Sequence, residues 1–224
     1  MAIARRTAER PNRRTHRTHE ERSAETRERL IEAAIRCLHA YGYAATTTSL
    51  VAEEAGFSRG AMLHQFGTRV DLMLAVARHV IEDQNESYRS ALARYPRGKE
   101  RFMAITDVSW EVLSRPSAIA LLEIMMASRS DPALAEAYPA VAAEFDKLAA
   151  ENMWQMAQAA GIRDKETVAA MAQLHRAAQQ GLSIILMFSR DPKTVEPSLE
   201  LMRWYKKVLT ERLLAEAKAS AAAE

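Results

Sequence analysis

The residues best suited to chemistry in this 224-residue chain stand between Thr46 and Arg69. Residues 46–66 read TTTSLVAEEAGFSRGAMLHQF, and Arg69 follows closely. The types are hydroxyls, an amide, an imidazole and guanidinium groups: Thr47, Thr48, Ser58, Arg59, His64, Gln65 and Arg69. Hydroxyls and guanidiniums satisfy phosphate oxygens, Gln pairs with an adenine edge and Arg with a guanine edge. This is recognition chemistry rather than bond making. Nothing elsewhere supplies a phosphate-cradling Gly loop, a GxSxG elbow, an HExxH pair or Cys/His zinc spacing. The six His are scattered at positions 16, 19, 39, 64, 79 and 175. No cofactor, metal site or catalytic group is therefore expected.

Two short helices must position these side chains. Thr47 or Thr48 N-caps the first through its hydroxyl. Val51 and Ala55 give it an apolar side, and Ala52 is small enough for close packing. Gly56 permits a tight turn that a residue with a Cβ resists. Phe57 plugs the gap between the helices. Ser58 caps the second helix, where Ala61, Met62 and Phe66 recur at helical spacing. Two helices about a Gly turn are either a helix-turn-helix, whose second helix enters the DNA major groove, or an ordinary hairpin within a larger bundle.

The surrounding residues favour the first reading. Arg29-Leu30-Ile31-Glu32-Ala33-Ala34 with Tyr41-Gly42-Tyr43, then Ala45-Thr46-Thr47, Val51-Ala52-Glu53-Glu54-Ala55-Gly56, the run from Ser58 to Phe66 and Thr68-Arg69-Val70-Asp71-Leu72 follow one another in order. Together, residues 26–74 resemble the DNA-binding domain of tetracycline-repressor-like (TetR family) transcriptional regulators. Beyond them, the chain is similar to the family only in length and helical character. Two positions depart: Leu63 stands where the family commonly has a phosphate-binding Tyr, and Leu50 where it often has an acid. The resemblance implies that Thr47, Thr48, Ser58 and Arg69 fix phosphates, and that Arg59, Gly60, Leu63, His64 and Gln65 lie nearest the bases. It implies a homodimer on palindromic double-stranded operator DNA, usually a repressor, whose last two helices pair with their copies in a second subunit.

Charge agrees with this placement. The net formal charge is only +2. Residues 1–70 hold 12 Arg against 8 Glu, whereas residues 71–224 hold 19 Lys and Arg against 21 Asp and Glu. Positive charge thus gathers with the helix-turn-helix, as phosphate attraction requires. Residues 1–22 read as a basic arm with Arg5, Arg6, Arg10, Arg13, Arg14 and Arg17, which either lies along DNA or is a solvated tail. The single cysteine, Cys37, excludes an intramolecular disulfide framework and reads as a small buried filler. No apolar run reaches the ~20 residues of a membrane span, and no signal peptide is evident. A cytoplasmic protein without membrane contact is the expectation.

Seven Gly, seven Pro and abundant Ala, Leu, Met, Glu and Arg predict an all-α chain of about nine helices. The first spans residues 24–41, with Leu30, Ala34, Cys37, Leu38 and Tyr41 on one face and Gly42 as its stop. Residues 23–70 form the DNA-binding domain and 71–224 an effector-binding and dimerisation domain. Thr68 and Asp71 resemble a capping box opening the fourth helix. Pro139 should kink or divide the seventh helix. Helices eight and nine carry broad apolar faces, from which Leu182, Ile185, Met202 and Leu209 are assigned to the dimer interface. Phe102, Met103, Trp110, Glu123, Met125, Met126, Trp154, Met171 and His175 are assigned to a pocket for an apolar or aromatic effector, with Glu123 and His175 as polar anchors. Two other readings remain at this stage: a helical ligand carrier or enzyme that merely resembles the motif, and a regulator that takes no ligand.

Overall fold

The computed structural model describes residues 19–223, and among them nine α-helices, one short 3-10 turn and no strand are present. The helices are α1 (His19–Ala45), α2 (Thr48–Ala55), α3 (Arg59–Gln65), α4 (Arg69–Leu92), α5 (Lys99–Leu113), α6 (Pro116–Ala127), α7 (Pro132–Ala159), α8 (Lys165–Ser189) and α9 (Glu196–Ala223). Of the basic arm, residues 1–18 lie outside the described residues, and residues 19–22 form the first turn of α1.

Local chemistry sets most boundaries. Regular α1 geometry breaks at Gly42, whose φ of 74° is the left-handed region that glycine tolerates best. Gly56, at φ 73°, caps the C-terminus of α2 in the same way. Thr68 and Asp71 form a reciprocal capping box: the Thr68 hydroxyl accepts from Asp71 N–H, and Asp71 accepts from Thr68 N–H. Asp131 and Asp164 cap α7 and α8 through their carboxylates. Pro139 does not divide α7, which continues through it for 28 residues.

The largest core joins the two expected domains instead of separating them. Leu30, Ala34, Cys37 and Leu38 of α1 pack with Val51, Met62, Phe66 and the start of α4, and the same cluster contains Ala120 and Ile124 of α6 and Leu134 and Tyr138 of α7. Burial and nearby Glu54 push the Cys37 thiol up, the mark of an inert filler. Tyr41, expected on the buried face, is exposed; Gly42 breaks the helical register, and Tyr43 turns inward against the cluster. Smaller clusters fill the rest of the chain, one among α5, α7, α8 and α9 and another between Trp110 and the α8–α9 turn. Helix α6 is less enclosed than its apolar sequence predicts, because Met126 is exposed at its end.

Candidate nucleic-acid interface

Helix α3 has two distinct sides. Met62 is fully buried, and Phe66 just beyond the helix is nearly so. Arg59, Gly60, Leu63 and His64 are therefore presented outward together. Ser58 Oγ accepts the Ala61 amide at 3.1 Å, and Thr47 Oγ1 accepts the Leu50 amide at 3.1 Å. Thr47 is thus the cap of α2, and Thr48 is its half-buried first residue. Each such cap is worth about 1 kcal/mol of helix stability.

Two expected DNA contacts have partners within the chain. Gln65 donates from Nε2 to Ser23 Oγ at 2.9 Å, and its backbone carbonyl accepts from Arg27 at 3.3 Å. Its amide is tied to α1, which removes it from the outward-facing group. Arg69 lies with its guanidinium 3.9 Å from the centre of the Tyr43 ring, donates from Nε to the Thr46 carbonyl at 3.0 Å, and also donates to the Tyr43 carbonyl. It is a clasp on the lead-in to α2. Arg27 over Phe66 and Arg29 over Phe57 do similar work, and Arg29 also donates to the Ala55 carbonyl at 3.0 Å. Arg27 was not singled out from sequence, and Arg29 was read only as part of the first-helix pattern. Their signal was an Arg spaced along α1 on the side of an aromatic-bearing turn, legible only once the packing is known. Arg27, Arg29 and Arg69 are thus each held by contacts within the chain, Arg27 and Arg29 while still exposed and Arg69 half-buried.

The residues assigned to an effector pocket do not form one group. Phe102, Trp154 and Met171 share the cluster among α5, α7, α8 and α9. His175 is buried and stacks on Tyr205 at 5.9 Å between ring centres, and Lys206, the next residue, is buried against Phe102. Trp110 packs with Leu182, Val195 and Leu199 instead, and Met125 lies against the main core. Met103 is half-buried, and Met126 is exposed. Glu123 belongs elsewhere: its carboxylate accepts the Tyr43 amide at 2.8 Å and abuts Gly42. An anchoring acid read as an effector contact is thereby a strut between α6 and the end of α1. A surface hollow beside Arg163, Leu213 and Glu216 includes none of the nine.

The four residues assigned to dimerisation also part company. Leu182, Met202 and Leu209 face the chain's own core, and only Ile185 is exposed. The apolar groups turned outward are Leu174, Ile184, Ile185, Met187 and Phe188 on α8 and Leu201, Trp204 and Val208 on α9. Phe188 is 84% exposed and Trp204 61% exposed, so these are large apolar surfaces held away from the core. Seven-residue spacing (Leu174 and Phe188 two steps apart, Leu201 and Val208 one) is a weak sequence signal, interrupted by Gly181 and rivalled by a regular inward stripe.

Capped helices at a Gly turn, with the second helix presenting one cation, an imidazole and an open Gly above a buried Met and Phe, define a helix-turn-helix DNA-binding protein. Residues 30–76 match the family model described as bacterial regulatory proteins, tetR family. The chain is 33% identical over 138 residues to the HTH-type transcriptional regulator CymR of Pseudomonas putida, covering 62% of this chain and 68% of that one. It belongs to the TetR family of transcriptional regulators. A further relative, the uncharacterized HTH-type transcriptional regulator Rv2912c of Mycobacterium tuberculosis, is 31% identical over 120 residues, which span 54% of this chain and 62% of the relative. Among solved structures, a putative transcriptional regulator from Pseudomonas aeruginosa PAO1 shares the fold with a TM-score of 0.64 at 21% identity, covering 89% of this chain and 95% of that one. The multidrug binding protein EbrR, complexed with imidazole, superposes with a TM-score of 0.54 at 26% identity, over 79% of this chain and 92% of that one. Among the described residues no helix is long and apolar enough to cross a membrane.

Proposed function

We propose that the protein is a homodimeric, ligand-responsive repressor that leaves a palindromic operator when a small apolar or aromatic molecule binds its C-terminal domain. The observation that carries this reading is the outward set Arg59, Gly60, Leu63 and His64 on α3, rigidly backed by buried Met62 and Phe66. A polar face fixed on a packed core is what base recognition requires. The apolar stripe of α8 and α9 supports self-association, since an exposed patch of this size on a helical pair favours a partner of the same kind. Two motifs then meet half-sites ~34–36 Å apart. That EbrR, a relative in fold, is a multidrug binding protein supports a small-molecule ligand.

A gel shift with genomic fragments tests DNA recognition: a fragment should be retained against excess competitor DNA, with sedimentation showing the dimer in the same buffer. A helical carrier or enzyme would show no sequence preference. Release of the retained fragment by a hydrophobic small molecule tests ligand response separately, and its absence across a broad panel would leave a ligand-free regulator.

A further inference from the structure

Within the C-terminal domain, buried polar groups from three helices converge. On α8, His175, Gln179 and Ser183 recur every four residues and are all buried. Gln179 and Ser183 are satisfied by α5: Gln179 donates to the Thr106 carbonyl at 2.8 Å and accepts from Ser109 at 2.7 Å, and Ser183 donates to the Leu113 carbonyl at 2.9 Å. The deeper end of this seam is not satisfied. Thr106 Oγ1, His175 Nε2 and Thr210 Oγ1 are buried without a hydrogen-bond partner. Between them comes Lys206, 1% exposed, with its ammonium 4.6 Å from the centre of the Phe102 ring and donating to the Phe102 carbonyl. Thr106 stands one turn after Phe102 on α5, and Thr210 one turn after Lys206 on α9.

A buried ammonium costs several kcal/mol unless an anion accompanies it. Among the described residues no carboxylate pairs with Lys206. Its nearest acid, Asp107 on α5, is exposed and pairs at 2.6 Å with Arg203. The other titratable groups here are His175 on α8 and Tyr205 on α9. His175 Nδ1 donates to the Met171 carbonyl at 2.9 Å, and the Met202 backbone also lies against this ring. Burial holds Lys206 down to about 7, and burial lowers His175 as well. The neighbouring cluster is apolar: Phe102, Trp154, Met171 and Val168.

Resting on the ligand-responsive reading, we propose that the effector is an apolar monocarboxylate whose carboxylate pairs with Lys206 and accepts a hydrogen bond from Thr106, its body lying against Phe102, Trp154 and Met171. One cation matches one negative charge, and the apolar walls offer nothing to offset the second charge of a phosphate. Binding converts a lone buried base into half of an ion pair. Above pH 7 it must therefore draw a proton from solution.

The test uses the full-length protein with phenyl-substituted and straight-chain monocarboxylic acids, each compared with its primary amide, by thermal shift and calorimetry. At least one acid should bind more than tenfold tighter than its amide. Calorimetry at pH 8 in buffers of different ionisation enthalpy should show net proton uptake. Lys206→Met should remain folded, since it removes an unpaired buried cation, and should lose the preference for acid over amide. Equal binding of acid and amide, no proton uptake at pH 8, or unchanged acid binding by Lys206→Met would each overturn the proposal; the proton measurement needs no variant. Amides that bind and release the operator would sink the anionic site while leaving ligand-responsive repression intact. If no acid or amide binds while a specific fragment is still retained in the gel shift, both fail and DNA recognition stands.

Discussion

The Tyr43 hydroxyl donates to Asp131 Oδ2 at 2.5 Å, joining the lead-in of the DNA-reading helices to the N-cap of α7. Around the same tyrosine, Glu123 of α6 accepts its amide and Arg69 of α4 holds its carbonyl and ring. Helices from the C-terminal part thus grip the residue four positions before Thr47, the cap of α2. Burial and this hydrogen bond push the Tyr43 phenol up to about 12, and the bond holds the Asp131 carboxyl below its usual range.

Removing the hydroxyl with Tyr43→Phe should cost about 1 kcal/mol, or roughly 2–4 °C in Tm at neutral pH. A depressed carboxyl pKa stabilises the fold above its ordinary value and loses that contribution as pH falls through the folded value. A raised phenol pKa contributes below pH ~10 and is lost as pH climbs toward 12. The Tm gap between wild type and Tyr43→Phe should therefore be widest near neutrality and close at both extremes. Melting curves across pH check this, and a gap independent of pH would remove the bond from the stability of the junction.

His64→Ala and Arg59→Ala should each weaken operator binding by ~1–3 kcal/mol if the side chain reads a base, and relax preference at one position. Arg69→Ala should behave differently. Its guanidinium holds Tyr43 and Thr46, so the variant should melt earlier while the salt dependence of DNA binding keeps its slope. Anisotropy titrations at several salt concentrations separate the two outcomes. A slope reduced by about one for Arg69→Ala would restore a direct phosphate contact.

Phe188→Glu combined with Trp204→Glu should yield folded monomers, because both side chains are exposed within one chain. Leu182→Glu should instead destabilise the subunit itself, since Leu182 packs with Val195 and Leu199. Sedimentation velocity and circular dichroism together distinguish loss of association from loss of fold. A stable wild-type monomer at micromolar concentration would dispose of the homodimer.

Deleting residues 1–18 removes six arginines and leaves all nine helices in place. Operator affinity should fall, most strongly at low salt, where phosphate attraction is least screened. Identical binding throughout a salt titration would make the arm a solvated tail.

The sequence by itself determined the local devices. A cap at Thr47 or Thr48, Ser58, Thr68 with Asp71, Gly42 and Gly56 act within one or two turns of their own positions, so their chemistry is complete in a short window; packing then chose Thr47. The outward placement of Arg59, Gly60, Leu63 and His64 followed equally from the period of α3. Tertiary packing decided what each side chain meets across the chain. Gln65 finds Ser23 and Arg69 finds Tyr43, at separations of 42 and 26 residues, and Glu123 finds Tyr43 across 80. No helical period encodes such pairs. The same holds for α8 and α9, whose apolar residues surround too much of each helix for periodicity to say which stripe turns inward. Only docking against Trp110 of α5 and the start of α9 buried Leu182 and left Phe188 in the open, and only packing against Phe102 of α5 made Lys206 a buried cation without an anion.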